Sequence, residues 1–438
     1  MSARFSKKLD EIPGYKAGVP LGKAPEAIAA SGIAQLASNE SPWGPHPDVV
    51  AAIGRAASAM NRYPDPSASL LRQRIAERHD VPPASIAVSN GSCELLLAAA
   101  TALCEPGAEI VYAWPSFSIY PYMAPLSGAR EIRVPLNDAE EHDLDAMLAE
   151  ITAATQLVVV CNPNNPTSTH LPVARIAEFA AAVPGHVTVI LDEAYVEYQL
   201  HDDPEETVDL WRRHDNLVVL RTFSKCYGLA GLRVGYALCS PRFRAAVDAV
   251  RQPFSVNAIA QAAGAEAVRH SDDVVTRVER TIVERVFVEE GVRELGLDTP
   301  DSHANFSWIA LGEADEAEVV AALAEQGVVV RAGTPLGGPG RIRVSYGLRE
   351  QNERFLAALG AVPAILVALT VSPELAITVG GVYVILQFAT AGILVLAANT
   401  AYADFPRLSS IIAKDGYLPR QFANRGDRLV FSNGVIFL

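Results

Sequence analysis

Lys225 is the residue whose position most demands a chemical explanation. It follows the apolar run NLVVL (216–220) and lies within RTFSKCYGLAGLRVGY (221–236). A charged amine at the carboxyl end of a buried strand loses its hydration, a cost that disappears if the amine condenses with a carbonyl. The aldehyde of pyridoxal phosphate (PLP) is the commonest such partner. Ser224 and Arg233 would then offer a hydroxyl and a guanidinium to the cofactor phosphate. Alone, a Ser-Lys pair is a weak signal, because most lysines are solvated surface charges.

Two further strand ends carry groups that suit the same cofactor. QLVVV (156–160) runs into Cys161-Asn162-Pro163-Asn164-Asn165-Pro166, and VTVIL (187–191) runs into Asp192-Glu193-Ala194-Tyr195. Short β-branched runs of this kind fill the interior of a parallel sheet. Asn165, Asp192 and Lys225 are 27 and 33 residues apart, close to one βα unit of roughly 30 residues each. Open α/β sheets bind ligands outside the carboxyl ends of their strands. There Asp192 would keep a pyridine nitrogen protonated, so that the ring withdraws electrons from a substrate Cα. Asn165 and Tyr195 would bond a phenolic oxygen. Singly, Asp192 suits a helix cap and Asn-Pro an ordinary turn. In register, the three point to one site.

ASNESPWGP (37–45), NRYPDPS (61–67), SNGSCELL (89–96), CNPNNPT (161–167), LDEAYVEY (191–198), the lysine motif and RIRVSYG (341–347) extend the pattern. Together they resemble the fold-type I PLP aminotransferases of the histidinol-phosphate aminotransferase branch, from about Leu36 to Leu359. Within that branch, NESPWGP, HDL (142–144), RTFSK and QPFSVNAIAQ (252–261) are most similar to the bacterial aromatic amino acid aminotransferases.

The resemblance implies an α/β fold: a large, mainly parallel-sheet α/β/α domain at 36–273, and a smaller α/β domain from 1–35 plus 274–362. It implies that Lys225 forms the Schiff base, Asp192 binds the pyridine nitrogen, and Asn165 and Tyr195 reach the phenolic oxygen. Gly91 and Ser92, with Cys93 beside them, join Ser224 and Arg233 around the phosphate. Phe117 takes the ring-stacking position. Tyr63 matches a tyrosine that reaches the neighbouring subunit's phosphate, which implies a homodimer. Arg343 matches the clamp on the substrate α-carboxylate, with Asn39 also at the substrate. Arg331 matches the arginine that meets the substrate phosphate in histidinol-phosphate enzymes. The chain departs from the pattern at Cys93 (usually acidic), Ser168 (usually glycine) and Cys226 (usually alanine). Ser168 is the least comfortable, because that glycine often adopts φ > 0.

The activity implied is transfer of an amino group from phenylalanine or tyrosine to 2-oxoglutarate, with histidinol phosphate as the alternative donor. A PLP decarboxylase would use the same cofactor shell and differs in consuming no amino acceptor. A membrane-tethered protein with an idle catalytic domain is the competing class.

Residues 1–362 are long enough for a large core and a smaller domain. Five cysteines form no CxxC or zinc-ligand pattern, so neither a disulfide framework nor a metal site is expected. The N-terminus lacks the apolar core of a signal peptide, and a cytoplasmic catalytic region is expected. A net charge of −14 without a basic stripe argues against nucleic acid as a partner. His46, His142 and His170 read as surface or turn residues. Glu316–Gln326 reads as an amphipathic helix, GVVVR (327–331) and RIRVSY (341–346) as short strands, and LGGPGR (336–341) as a turn.

After Val362 the chain changes character. Residues 375–398 are 24 uncharged residues, more than the ~20 needed to cross a bilayer. They include Gly380, Gly381 and Gly392. Residues 387–438 resemble an internal piece of APC-type amino acid permeases, too short to build a transporter. The tail 363–438 is therefore expected to be a membrane-derived fusion remnant, the only part of the chain with a membrane association, and without a role in catalysis.

Overall fold

A computed structural model describes residues 32–370, with side chains to Val362, together with Phe5 and Ile12. The chain divides into two compact units, Met1–Val362 and Pro363–Leu438, and the described side chains all belong to the first.

The three apolar runs form the middle of a seven-stranded sheet. β5 (Thr155–Cys161), β6 (Thr188–Asp192) and β7 (Leu217–Thr222) lie side by side and parallel. The sheet also contains β2 (Ile86–Ser89), β3 (Glu109–Trp114), β4 (Arg130–Pro135) and β8 (Gly235–Leu238), in the order β2-β8-β7-β6-β5-β3-β4. Only β8 runs against its neighbours. Successive side chains of a strand face opposite ways, so each central strand feeds two cores. Val158, Val160, Val189, Leu191 and Val219 pack with helices Ser69–His79 and Val173–Ala182 on one face. Leu157, Val159, Ile190, Val218 and Leu220 pack with helices Ser92–Leu103 and Pro241–Val250 on the other. Burial on both faces explains why these strands read as continuous apolar runs.

Register places the chemistry on one edge. Cys161 pairs with Asp192, and Asp192 with Leu220, so the chain leaves β5, β6 and β7 at nearly the same level. Because β8 is antiparallel, its first residue, Gly235, pairs with Thr222 on one side and Ser89 on the other. Arg233 and the Gly91-Ser92 turn therefore join that edge. Gly235 is required there, since a Cβ would lie 2.7 Å from the Ser92 backbone nitrogen.

Two smaller sheets complete the described part. β9 (Phe306–Ala310), β11 (Arg331–Ala332) and β12 (Arg341–Ser345) are antiparallel in the order β11-β12-β9. β1 (Ala34–Gln35) pairs in parallel with β10 (Val328–Val329). The expected helix forms at Glu316–Glu325, capped by Asp315. The domain boundary expected at 273/274 falls inside the first turn of helix Ser271–Glu294. The run expected to cross a membrane (375–398) and the permease-like stretch (387–438) lie outside the described residues. Among those described, no helix is long and apolar enough to cross a membrane.

Two readings of histidine are corrected. His142 and His170 are not surface residues: they are 3% and 7% exposed, and burial pushes each imidazole down to about 4, so both stay neutral at pH 7. Ser168 does adopt the conformation that favours glycine, with φ +62° and no exposure. It is held by its N–H to the Asn164 carbonyl at 2.8 Å and by the His303 N–H on its own carbonyl at 2.8 Å. Left-handed backbone costs an L-residue about 1–2 kcal/mol, partly offset by the greater unfolded-state freedom of glycine. Ser168→Gly should therefore raise stability by roughly 0.5–1 kcal/mol, read as a higher midpoint in urea at unchanged slope. A lower midpoint would show that the serine is not strained.

Candidate active site

At the carboxyl edge of the large sheet lies a cavity of about 310 Å³, lined by residues at the ends of six of its strands and by Ser38 and Glu40. Lys225 reaches into it from the turn after β7, its Nζ donating to the Ser38 carbonyl at 3.2 Å and lying 5.5 Å from the Tyr195 ring centre. Burial, and then the guanidinium of Arg343, push this amine down from 10.5 to about 7. At neutral pH a large share of it is therefore the free base, the form that attacks a carbonyl or takes a proton. In the cofactor-free protein, the rate of trinitrophenylation of Lys225 should rise with pH through a midpoint near 7 and then level off. Peptide mass spectrometry after trinitrobenzenesulfonate labelling reads this. A midpoint near 10 would mean that the amine is an ordinary solvated one.

Asp192 ends β6 and is 1% exposed. Its Oδ2 accepts from the Tyr120 hydroxyl at 2.9 Å, whereas its Oδ1 is buried with no hydrogen-bond partner. Burial pushes this carboxyl up to about 6, against the pull of Tyr120 and the Ala194 backbone N–H. A buried carboxylate oxygen with no partner is costly unless a donor arrives.

Asn165 and Tyr195 face the same space. The Asn165 Oδ1 accepts from Arg343 Nη1 at 2.6 Å, which leaves its amide nitrogen for a cavity ligand. Tyr195 accepts from Asn39 Nδ2 at 3.0 Å, which leaves its own hydrogen to donate. Burial pushes the Tyr195 phenol up, so it stays protonated. Arg343 also bonds the Ala37 carbonyl at 2.8 Å and lies over the Phe306 ring. Arg233 sits at φ +55°, its Nη1 donating to Ser224 Oγ at 3.3 Å. Gly91 has φ +77°, and a Cβ there would lie 2.5 Å from Arg233 Nη2, so glycine is needed for the arginine to close over the start of helix Ser92–Leu103.

The family model for aminotransferase class I and II matches residues 31–359. The chain belongs to that family. A relative from Thermobifida fusca, named aromatic amino acid aminotransferase, is 44% identical over 358 residues, covering 81% of this chain and 96% of the relative. One of the same name from Streptomyces coelicolor is 42% identical over 356 residues, covering 81% and 96%. The crystal structure of histidinol-phosphate aminotransferase from Sinorhizobium meliloti in complex with pyridoxal-5'-phosphate matches with a TM-score of 0.73 at 29% identity, covering 84% of this chain and 99% of that one.

In this aminotransferase the fold gathers most of the residues singled out by sequence. Ser92, Cys93, Phe117, Asn165, Asp192, Tyr195, Ser224, Lys225 and Arg233 line the cavity. Gly91, Asn39 and Arg343 join it through the contacts above. Tyr63 and Arg331 do not line it. Tyr63 is 83% exposed and stacks on Phe254 at 4.8 Å, and Arg331 pairs across strands with Arg343. Sequence reasoning missed Tyr120, Glu40 and the Ser38 carbonyl. Tyr120 carried a signal: it lies three residues after Phe117, and the turn between them closes with Tyr120 N–H on the Phe117 carbonyl at 3.0 Å. A backbone carbonyl such as that of Ser38 carries none. Outside the cavity lining, the fold brings His270 to His46 and Asp48 at the start of helix Pro47–Ala57, with ligand atoms of the three within 4.8 Å of one another.

Proposed function

We propose that the enzyme transfers the amino group of an aromatic L-amino acid, phenylalanine or tyrosine, to 2-oxoglutarate, using PLP held on Lys225. The observation that carries this is the Lys225 amine, lowered to about 7, sharing one cavity with the buried, unpaired Asp192 Oδ1. An aldehyde suits the first and a ring N–H the second. The Gly91–Arg233–Ser224 cradle suits a phosphate. When bound, PLP supplies a pyridinium ring that stabilises negative charge on the substrate Cα.

The chain's own groups then have distinct tasks. Lys225 Nζ would take the proton from the substrate Cα and deliver it to the cofactor's C4′ carbon, so that the proton is relocated and not lost. Asp192, oriented by Tyr120, holds the ring nitrogen protonated. Asn165 and Tyr195 would donate to the phenolic oxygen, since Arg343 and Asn39 already occupy their acceptor oxygens and leave their N–H and O–H free to donate. Phe117 lies along the cavity wall, edge-on to Tyr120 at 5.8 Å. Arg343 is the cation for the substrate α-carboxylate. The exposure of Tyr63 supports the reading that it serves a neighbouring copy's phosphate in a homodimer.

The relatives named for aromatic substrates, and Phe117 as an apolar wall, favour the aromatic donor. A specific observation supports histidinol phosphate as the second reading: Arg331 lies directly opposite Arg343 in the β11–β12 register, a second cation beside the first. Mixing the PLP-loaded full-length protein with either donor separates them. Loss of the resting absorbance on adding phenylalanine, restored by 2-oxoglutarate, is the expected result. Conversion by histidinol phosphate alone would transfer the assignment to the second reading, and no change with either donor would remove both. A pocket built for a phosphate discriminates strongly against a neutral ring, because its cations are left unpaired.

A further inference from the structure

HDL (142–144) is a motif that the proposed reaction leaves unused, and His142 is buried without lining the cavity. We infer that His142, Ser116 and Asn164 form a clamp that fixes the spacing between the two segments flanking the cavity, with Asn164 as the positioning residue. The functional importance of that spacing rests on the cavity being a PLP site.

Asn164 is 1% exposed and its amide is saturated. Its Oδ1 accepts from Ser116 Oγ at 2.7 Å and from His142 Nε2 at 3.1 Å. Its Nδ2 donates to the Pro115 carbonyl at 3.2 Å and to Thr167 Oγ1 at 2.8 Å. Two lone pairs and two N–H groups are all that an amide offers. The partners come from three segments: the turn after β3, the turn before helix Leu144–Ala149, and the NPNNPT loop after β5. Phe117 follows Ser116 and Asn165 follows Asn164, and both line the cavity. The clamp therefore holds the apolar wall and the phenolic-oxygen donor in one rigid unit. A second tie runs in parallel, Thr167 Oγ1 to Thr169 Oγ1 at 2.8 Å and Thr169 Oγ1 to the Glu140 carbonyl at 2.8 Å. Since the Asn164 carbonyl oxygen only accepts, the His142 hydrogen must be on Nε2, and the buried Nδ1 has no partner. A buried amide with all four of its hydrogen bonds made is held rigidly, and loss of one donor leaves its carbonyl oxygen a partner short.

The test compares full-length His142→Leu, which removes the donor, with His142→Gln, whose amide nitrogen can take the place of Nε2, and with Ser116→Ala. In the cofactor-free proteins, hydrogen exchange should accelerate several-fold together in segments 115–120 and 162–169 for His142→Leu and Ser116→Ala, but not for His142→Gln. With PLP added, His142→Leu should bind about tenfold more weakly and lose about tenfold in kcat at unchanged donor KM, as expected for a sub-ångström misplacement. The pH midpoint of the resting absorbance should rise, because a donor withdrawn from the phenolic oxygen no longer competes with the proton shared there. Gln should restore both. The clamp is overturned if the two segments exchange as in wild type, if Gln behaves like Leu, or if only the melting temperature falls while PLP affinity and the pH midpoint hold. If the wild-type protein fails to take up PLP, the cofactor reading falls instead, and the exchange data still decide whether the clamp exists.

Discussion

Lys225→Ala should lower kcat for phenylalanine and 2-oxoglutarate by about 10⁴-fold or more, the upper range for loss of a positioned acid–base group. Lys225 is the only lysine among the described residues, so none of the others can take over its amine. The effect should not be one of charge. Lys225→Arg keeps a cation but cannot give it up, because a guanidinium stays protonated in proteins. It should therefore be as inactive as the alanine variant. Single-turnover kinetics with PLP-reconstituted protein measures this. Retention of more than about one part in a hundred of the wild-type rate by Lys225→Arg would show that the amine does not move the proton.

Asp192→Asn should lower kcat/KM by about 10³-fold, in the range found when one preorganised electrostatic partner is removed from a dry site. The amide cannot hold a pyridinium N–H as a carboxylate does. Tyr120→Phe keeps the carboxylate and removes only its orienting donor, so its loss should be about tenfold. A larger effect at Tyr120 than at Asp192 would sink the assignment. The same substitution carries a stability signature of opposite sign. In the cofactor-free protein burial raises this carboxyl from 3.8 to about 6, so the folded chain binds its proton more tightly than the unfolded one. That advantage is complete below the unfolded value and is lost as pH rises through 6, which leaves a buried charge at pH 7 that costs about 3 kcal/mol. Asp192→Asn should therefore stabilise the cofactor-free protein at pH 7 by about that amount and by little at pH 4. Urea midpoints at the two pH values test it, and a group that stabilises the protein when removed and disables it chemically is the usual pattern of a functional site.

The sequence by itself determined the middle of the large sheet and the types of its reacting groups. β5, β6 and β7 are legible because strands buried on both faces must be apolar throughout, and a polar residue at the end of each marks where the core stops. The repeat of about one βα unit then implies that Asn165, Asp192 and Lys225 share an edge. The same local logic anticipated a helix from Glu316, found at Glu316–Glu325, and the strands around Arg331 and Arg343, whereas the left-handed backbone at Ser168 was expected only from the resemblance to a family that has glycine there. Only the tertiary structure decided which groups face each other across the site. Tyr120 meets Asp192 across 72 residues, Arg343 meets Asn165 across 178, and Lys225 meets the Ser38 carbonyl across 187. No periodicity reaches that far, because hydrophobic patterning reports which side of an element is buried and not what it is buried against. His142 shows the limit most plainly. A histidine in a polar turn reads as solvated, and its burial follows from a neighbour, Asn164, that the local sequence gives no means of placing beside it.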